Sequence, residues 1–369
     1  MTLNLRLEYR TAYGEELYVV VCSGREKAYP MQYIGDGLWA ATLKLTATKE
    51  LKYRYEVRHA DEVLRREWGG EHTIALDGKC EKVRIEDRWH SMPADRSFYS
   101  SMFTDGIFRR DTAGKKIQPV AEGTLTLRAE IAVVRPTQKV VVVGDGKALG
   151  NWDVAKGLEL SSAGMPVWSV RMKAPKTPFS YKFVLVNIET GAVEAWQSGN
   201  NYYFADTVAE GEALVLEGLR PHFDMAAWRG AGVAVPVFSL RSESSFGVGE
   251  FRDLRLLVDW AAATGQSIIQ ILPINDTTMT HTWQDSYPYN ANSTFALHPM
   301  FLHLQDVGTL KNKEEQQRFE ALGRELNTLP AVDYERVNNA KREYLRQLFA
   351  EQGAKTLASK EFKAFLAAN

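Results

Sequence analysis

The sequence predicts a multidomain chain in which two tandem all-β immunoglobulin-like sandwiches precede the beginning of an α/β domain. Two observations carry this prediction. Short segments of alternating apolar and polar residues, separated by turn signals such as GDG, fill the first part of the chain and are typical of β-sandwiches. After RPHFDMAAWRG the pattern changes to near-continuous apolar runs and amphipathic helices, which indicate parallel strands covered on both faces.

The two β-regions are predicted at residues 1–98 and 122–220, with a linker at 99–121. The first region contains the candidate strands LNLRLEY, ELYVVVC, LWAATLKL, LKYRYEVR and KVRIED. The second contains TLTLRAEIAV, KVVVVGD, VWSVRMKA, FSYKFVLV and EALVLEG. Three segments match in order between the two regions, at offsets of 128 or 129 residues: GLWAATLKL with PVWSVRMKA, KYRYEV with SYKFVL, and REWGGEH with EAWQSGN. The regions are therefore interpreted as repeats, and the last match pairs Trp68 with Trp196.

Residues 221–369 are predicted to be α/β. The apolar runs GVAVPVFSL and SIIQILPIND flank a helical pattern in GEFRDLRLLVDWAAATG that Gly265 closes, which together predict a βαβ unit. From about Val307 the chain is polar and helical, and Asp333 is a candidate N-cap. The region is shorter than the roughly 250 residues of a complete (β/α)8 barrel. Since KEFKAFLAAN stops without a cap, we expect the N-terminal part of a longer protein.

Composition excludes several classes of function. A net charge of −1 gives no electrostatic footprint for nucleic acid or an anionic membrane surface. The chain has neither a signal-peptide-like start nor an apolar run near the roughly 20 residues that span a bilayer. Cys22 and Cys80 are too few for a disulfide framework and are expected to be free thiols. We therefore expect a cytoplasmic protein that binds neither nucleic acid nor membrane.

Common cofactor and metal motifs are missing from the sequence. GDGKALG departs by one residue from the dinucleotide fingerprint and leads into NWD rather than a helix. FGVGEF precedes a helix, where an anion could bind, but a tight turn is favoured there. His298 and His303 are five residues apart, which is poor geometry for a shared metal. No metal and no cofactor is predicted.

Aromatic residues in turns are the main functional signal. Trp152 lies in ALGNWD, and Trp196 lies in EAWQSGNNYYF with Asn201 five residues later. Lys182 lies in the strand segment SYKFV. The apolar C–H face of a sugar can stack on an indole, while its hydroxyls require donors and acceptors such as Lys and Asn. These four residues favour a carbohydrate site over a purely structural role.

The segments LGNWD, SYKFV and EAWQSGNN resemble the starch-binding, family 20 carbohydrate-binding modules. The resemblance implies that Trp152, Lys182, Trp196 and Asn201 form one α-glucan site. The first repeat lacks the LGNW turn, but TAYGEELYVVV is similar to the entry to the family's other sugar site. Tyr13 matches the tyrosine of that motif, and Tyr33 is its candidate partner. The alternative for this pair is a structural role at the end of the sandwich.

The third region resembles the start of family 77 glucanotransferases. The motifs that carry the resemblance are PVFSLRSESSFGVGEFRDL, IIQILPINDT, DSYPYNANSTFALHP and VDYERVNNAKREYL. The order of two starch-binding modules before a barrel is similar to the plant cytosolic type of this family. The resemblance implies a (β/α)8 barrel with a helical insertion from about residue 307. It also implies that Asp285, Ser286 and Tyr289 lie in a loop that lines the active cleft.

The family resemblance implies a 4-α-glucanotransferase that works by a retaining double displacement. Its expected partners are α-1,4-glucans, malto-oligosaccharides and starch or glycogen-like polysaccharide, with no cofactor and no metal. The nucleophilic Asp and the acid/base Glu are expected on later barrel strands, beyond residue 369, so this chain alone is expected to be inactive. One alternative is a non-catalytic α-glucan-binding protein. The other is an amylase-like enzyme of family 13, which should carry an Asp and an Asn-His pair in an early barrel loop. The segment INDTTMTHTW does not contain that pattern.

Overall fold

An eight-stranded sheet runs through the whole N-terminal part of the molecule in a computed structural model that describes residues 1–60, 62–112, 116–224 and 228–368. The chain divides into two units, Met1–Trp228 and Arg229–Asn369. In its described residues, the first unit is built from strands apart from short turns of helix. The second unit contains the α-helices and one parallel pair of strands.

The part of the first half that the structure describes contains nine strands: β1 Thr2–Glu8, β2 Glu16–Val21, β3 Lys27–Pro30, β4 Gln32–Gly35, β5 Leu38–Lys44, β6 Glu50–His59, β7 Glu62–Arg66, β8 His72–Ala75 and β9 Lys82–Arg88. Alternation places one face of each long strand inside. In β1, for example, Leu3, Leu5 and Leu7 are fully buried. The sheet of β3, β2, β6 and β7, with β8 also paired to β6, packs over this core.

The second half repeats this plan with β10 Thr124–Glu130, β11 Gln138–Gly144, β12 Leu158–Glu159, β13 Ser161–Gly164, β14 Val167–Lys173, β15 Phe179–Asn187, β16 Val193–Trp196, β17 Tyr202–Phe204 and β18 Glu212–Leu219. Its own core contains Leu125, Trp168 and Phe183. A five-stranded sheet of β12, β11, β15 and β16, with β17 also paired to β15, covers this core. The inward residues of β11 and β15 face it, and their outward residues form a separate apolar surface.

The two halves share one sheet rather than standing apart on a linker. Strands β9 and β18 pair in parallel, with Val83 opposite Ala213 and Ile85 opposite Val215, and this joins the eight strands β13-β14-β10-β18-β9-β1-β5-β4. Pairing removes two sheet edges that would otherwise expose unpaired backbone groups. We call this junction the seam. The sequence pattern did not predict the seam, because alternation within a strand contains no information on which edges of separate sheets meet.

The register supports two of the three predicted repeat matches. Trp39 donates its indole N–H to the carbonyl of Tyr9, and Trp168 donates to the carbonyl of Ile131 in the same way. The third match is wrong by two residues. Glu56 pairs with Arg66 in β6 and β7, whereas the corresponding pair in β15 and β16 is Val184 with Trp196. Arg66, not Trp68, therefore occupies the place of Trp196.

The second unit begins with the predicted βαβ element. Strands β19 Gly232–Val235 and β20 Ile268–Ile271 pair in parallel, and helix α1 Asp253–Ala263 connects them. The further helices are α2 Leu304–Val307, α3 Lys313–Asn327, α4 Tyr334–Ala358 and α5 Lys360–Ala368. The predicted cap at Asp333 is confirmed, since its side chain accepts from the N–H of Arg336.

The turn before α1 packs closely on α3 and is held by hydrogen bonds to the first residue of α1. A Cβ added at Gly247 would lie 2.6 Å from the Cβ of Leu326, so glycine allows a close approach at this point. The carboxylate of Asp253 accepts from the backbone N–H of Glu250 and from the hydroxyls of Ser242 and Ser245. The Asp253 carboxylate therefore occupies the hydrogen-bond donors of this turn at which a bound anion was considered. Within the described ranges, no helix is long and apolar enough to cross a bilayer.

Candidate glucan-binding face

The turn after β11 fixes the indole of Trp152. Asn151 and Trp152 both adopt positive φ values, 49° and 66°, directly after Gly150 at 74°. The indole Nε1–H donates to Oδ1 of Asp145 at 2.8 Å, and Oδ2 of the same carboxylate accepts from the N–H of Ser180 at 2.8 Å. The backbone hydrogen bond from Ser180 and then the bond from Trp152 lower the pKa of Asp145. The carboxylate therefore ties the turn to strand β15.

A valine surface supports the ring from below. Val141, Val143, Val184 and Val186 are buried on the outward side of β11 and β15, and Trp152 and Val154 pack against them. Trp152 is half-buried as a result. A large ring can therefore lie in this polar turn because one part of the indole packs on the sheet while the rest stays accessible.

Strand register places the other predicted residues on this same face. Val143 is opposite Lys182 in β11 and β15, and Val184 is opposite Trp196 in β15 and β16. Directly opposed residues of an antiparallel pair point to the same side of the sheet. Trp196 is 42% exposed. Trp152, Lys182 and Trp196 therefore share one outward surface, which we call the tryptophan face.

The ammonium of Lys182 orders the loop between β16 and β17. It donates to the carbonyl oxygens of Gln197 at 3.1 Å and Gly199 at 2.8 Å. Gln197 is buried, accepting from the N–H of Phe183 and donating to the carbonyl of Asn200. Asn201 follows this loop and is exposed. Lys182 keeps one of its three N–H donors beyond these two bonds.

Sequence reasoning missed two residues of this site. Asp145 was overlooked because GDG reads as a turn, although an acid seven residues before a turn tryptophan is a possible partner for its N–H. Tyr203 is opposite Ser180 in β17 and β15, so it points to the same side as Lys182, and it is 68% exposed. Alternation within NYYF could have identified it, since its neighbours Tyr202 and Phe204 pack on the core.

The equivalent face of the first half carries charges instead of apolar residues. Arg54 occupies the place of Lys182 and forms ion pairs with Glu26 and Glu56. Glu56, in the place of Val184, also pairs with Arg58 and Arg66. An ion-paired surface offers no apolar platform for a sugar ring.

The two tyrosines predicted for the first half lie at one end of its sandwich. A groove of ≈ 530 Å³ is lined by Tyr9, Arg10, Thr11, Tyr33, Asp36, Gly37 and Trp39. Tyr33 packs edge-on against Trp39 at 5.3 Å and accepts at its hydroxyl from the N–H of Gly37. Tyr13 lies two residues beyond Thr11 and is fully exposed. The structure thus places Tyr33 in the groove and Tyr13 on the loop that borders it.

In the second unit, Asp285 organises the loop that was predicted to line a cleft. Its buried carboxylate accepts from the backbone N–H groups of Met279, Thr280 and His281 at 2.7–3.1 Å. Burial opposes ionisation, but the backbone hydrogen bonds from Thr280 and Met279 outweigh it and lower the pKa of Asp285. Ser286 is half-buried. Tyr289 is 60% exposed and its ring lies 5.5 Å from that of Tyr287.

Comparison with known proteins assigns two segments. Residues 235–369 match the family described as 4-alpha-glucanotransferase, and residues 124–213 match the family described as starch binding domain. The 4-alpha-glucanotransferase DPE2 of rice (Oryza sativa subsp. japonica) is 31% identical over 400 residues, which cover 100% of this chain and 41% of the rice protein. A 4-alpha-glucanotransferase of Chlamydia trachomatis is 44% identical over 121 residues, covering 32% of this chain and 21% of that protein.

The similarity to solved structures is weaker. The family 20 carbohydrate-binding module of a maltotetraose-forming amylase from Pseudomonas saccharophila is 23% identical, with a TM-score of 0.22, over 25% of this chain and 98% of that one. The chain spans 41% and 21% of the lengths of the rice and Chlamydia trachomatis relatives.

Proposed function

We propose that this chain, which is homologous to 4-alpha-glucanotransferases and carries a starch-binding domain, binds α-glucan on the tryptophan face. The observation that carries the proposal is the common orientation of Trp152, Lys182 and Trp196 on one side of the β11–β15–β16 sheet. Two indoles offer apolar surface for the C–H faces of glucose rings. Lys182 and the exposed Asn201 offer polar groups for the hydroxyls around those rings.

Pre-organisation supports this assignment. The Asp145 carboxylate fixes the indole of Trp152, and Lys182 fixes the loop that precedes Asn201. Groups that are held in place before binding lose less conformational entropy when the ligand arrives.

The test is a titration of the chain with maltoheptaose, followed by tryptophan fluorescence. We expect saturable quenching in the wild type, its loss in Trp196→Ala, and its retention in Trp260→Ala, a matched control at an exposed tryptophan on α1. No change up to millimolar sugar in the wild type would assign the two tryptophans a structural role and refute the proposed site. Equal weakening by both variants would also count against it.

A second α-glucan contact is proposed at the groove of the first half. Tyr33 lines this groove and is 55% exposed, and Tyr13 is fully exposed on the bordering loop. Tyr13→Ala should weaken binding of a long glucan more than Tyr29→Ala, a change at a half-buried tyrosine of β3 outside the groove. Equal effects of the two variants would remove Tyr13 from the site.

The second unit is proposed to be the beginning of a (β/α)8 barrel with a helical insertion from about residue 307. The parallel register of β19 and β20 across α1 supports this. Apolar side chains of α1 that remain exposed also support it: Leu256, Val258 and Trp260. Such residues pack against neighbouring elements in a closed barrel. The domain limits 1–98, 122–220 and 221–369 are part of this proposal.

The whole protein is proposed to be a 4-α-glucanotransferase that transfers α-1,4-glucan segments or glucose between malto-oligosaccharides and glycans. In a retaining double displacement, a carboxylate attacks the anomeric carbon while a carboxylic acid protonates the leaving oxygen. An acceptor hydroxyl then displaces the enzyme from the glucosyl intermediate. We assign neither role to Asp285, because backbone N–H groups already occupy its carboxylate. Its loop, with Ser286 and Tyr289, is proposed to line the cleft.

The proposed absence of catalytic carboxylates from this chain is testable by activity. The purified chain should not disproportionate maltotriose, and it should still bind maltoheptaose. Formation of glucose and longer oligosaccharides by the chain alone would refute this part of the proposal. The proposed location is cytoplasmic, where the free thiols Cys22 and Cys80 would persist.

A further inference from the structure

Two histidines and a glutamate meet at the seam, outside the tryptophan face. Glu67 and His72 come from the first half, their side chains only 1% and 2% exposed, and His90 follows the seam strand β9. Each residue offers one ligand atom, and these atoms all lie within 4.8 Å of one another. Glu67 and His72 are five residues apart in the sequence, and His90 follows 18 residues after His72. We call them the seam triad.

The geometry of the seam triad suits a small cation. His72 Nε2 and Glu67 Oε1 are 3.0 Å apart, and the rings of His72 and His90 lie 4.4 Å apart at 42°. Two imidazoles with one carboxylate form a ligand set that zinc uses in proteins, with the fourth position open. The backbone holds the carboxylate, since its oxygens accept from the N–H groups of Tyr55 and His90.

His90 provides an independent observation. Its Nε2 is buried, and among the described residues it has no hydrogen-bond partner. A Cβ added at Gly218 would lie 3.0 Å from this atom, so the absence of a side chain there leaves the nitrogen uncovered. A buried polar atom without a partner has a free-energy cost of about 1–3 kcal/mol. A bound cation would satisfy it.

A second layer of acids surrounds His72. Its other ring nitrogen, Nδ1, lies 3.7 Å from Glu217 Oε1 and 4.0 Å from Asp87 Oδ2. The hydroxyls of Tyr53 and Tyr55 donate to the same oxygen of Asp87 and hold it in place. A metal-bound histidine usually directs its second nitrogen to a carboxylate in this way, which fixes the tautomer and raises ligand basicity.

The local charge also favours a divalent cation. Glu67, Asp87 and Glu217 are buried acids, and Arg128, bonded to Glu217, is the permanent cation that contacts this group. Three carboxylates and one guanidinium leave two negative charges when both histidines are neutral. Arg220 is matched by Glu130 and adds no net charge. Buried charge that is not balanced is costly, so a divalent ion or bound protons must offset it.

We propose that the seam triad Glu67, His72 and His90, all from the first half, binds Zn²⁺ beside the junction with the second half. Zinc replaces the proton that His72 Nε2 shares with Glu67, and the imidazole keeps a proton on Nδ1 toward Glu217 and Asp87. His90 contributes its unpartnered nitrogen. Residues of both halves then depend on the same ion, because Glu217 on β18 orients a ligand from the first half. The proposal is independent of the glucan-binding proposal.

A route to the site exists. A cavity of ≈ 720 Å³ at the seam includes His72, His90, Arg128 and Glu217 in its lining. A rival cluster of Cys22, Glu26 and Glu71 lies elsewhere, but the guanidinium of Arg54 is placed among these groups and bonds both Cys22 and Glu26. Burial also raises the pKa of the Cys22 thiol to about 11, which disfavours the thiolate that binds metal.

The first experiment titrates the chelator-treated full chain with Zn²⁺ by calorimetry at pH 7.5. We expect one zinc per chain, and a loss of at least about 100-fold in affinity for His90→Gln. His222→Gln, at an exposed histidine, and Cys22→Ser, in the rival cluster, should bind as the wild type does. No stoichiometric binding by the wild type would overturn the proposal. Equal binding by His90→Gln, or loss with Cys22→Ser, would do the same.

A second measurement uses the unaltered chain, so that a variant that fails to fold does not decide the matter. Co²⁺ at a site with two imidazoles and a carboxylate should give visible absorption bands that one equivalent of Zn²⁺ removes. Zinc should also raise the unfolding temperature, and a chelator should reverse the rise. A chain that shows neither absorption nor a reversible shift offsets its buried charge with protons alone, and the zinc assignment is then wrong.

Discussion

The indole N–H of Trp152 and the carboxylate of Asp145 form a 2.8 Å hydrogen bond across the turn that follows β11. Together with packing on the valine surface, this bond fixes the orientation of the half-buried ring. The second oxygen of Asp145 bonds the N–H of Ser180, so the ring is linked to the strand that carries Lys182. Asp145 is exposed and orients the sugar-binding surface through these two bonds, without any need to contact the sugar itself.

The first prediction concerns this acid. Asp145→Ala should weaken maltoheptaose binding roughly tenfold, because the indole and the turn lose the charge-assisted hydrogen bonds that this carboxylate accepts from Trp152 and Ser180. Calorimetry of the wild type and the variant gives the ratio directly. Asp153→Ala is a suitable control, since this nearby acid caps a short turn at Ala155 and does not bond the indole. Equal affinities of Asp145→Ala and the wild type would contradict the orienting role.

The second prediction is an acid limit to binding. Hydrogen bonds from Ser180 and Trp152 lower the pKa of Asp145 below the usual range of aspartate, so the carboxylate stays ionised and supports the turn at all pH values above that range. The support is lost only as the pH falls through the lowered folded-state pKa. We expect constant maltoheptaose affinity from pH 7 down to the ordinary titration range of aspartate, and a decline only at pH values below that range. Fluorescence titrations across this range, repeated with Asp145→Ala, should show that the variant lacks the acid-dependent decline. The same decline in both proteins would assign it to another group.

The sequence predicted individual strands and the tryptophan face better than it predicted how sheets meet. Alternation is local, so FSYKFVLV identified both the buried and the outward side of β15. The parallel pairing of β9 with β18 depends on edges far apart in the chain, and no local pattern encodes it. The seam triad was missed for another reason: its members come together through contacts of β8 and of the segments that follow β7 and β9, which alternation within one strand does not show. The two-residue error at Trp68 arose because residue type was matched without strand register.

The third prediction concerns the loop held by Asp285. Asp285→Asn keeps the shape of the side chain but replaces one acceptor oxygen with a donor, which then faces backbone N–H groups. Each buried donor left without a partner costs about 1–3 kcal/mol. We expect faster amide hydrogen exchange at Met279, Thr280 and His281, measured by mass spectrometry of the peptides that cover this loop.

Asp276→Asn provides the matched control for this loop. Asp276 also follows a strand segment, but its side chain accepts from a single backbone N–H, that of Thr278. Its replacement should change exchange in the loop much less. Similar exchange in both variants and the wild type would show that the network around Asp285 does not hold the loop.

The last prediction tests the buried ion pair at the centre of the second unit. The ammonium of Lys341 is 1% exposed; it bonds Glu250 and donates to the carbonyl oxygens of Met300 and Leu302 at 2.7 and 2.8 Å. Burial lowers the pKa of Lys341 while the Glu250 charge opposes this effect. Lys341→Met should reduce the free energy of unfolding by about 3–5 kcal/mol, because the buried carboxylate of Glu250 would keep His303 as its one side-chain partner among the described residues.

The double variant Lys341→Met with Glu250→Gln separates the ion pair from simple packing. It removes both charges and leaves side chains of similar volume, so it should recover much of the stability that the single variant loses. Urea unfolding followed by circular dichroism measures all three proteins under the same conditions. If the double variant is no more stable than Lys341→Met, then the lysine acts through its bonds to the backbone carbonyl oxygens rather than through charge balance with Glu250.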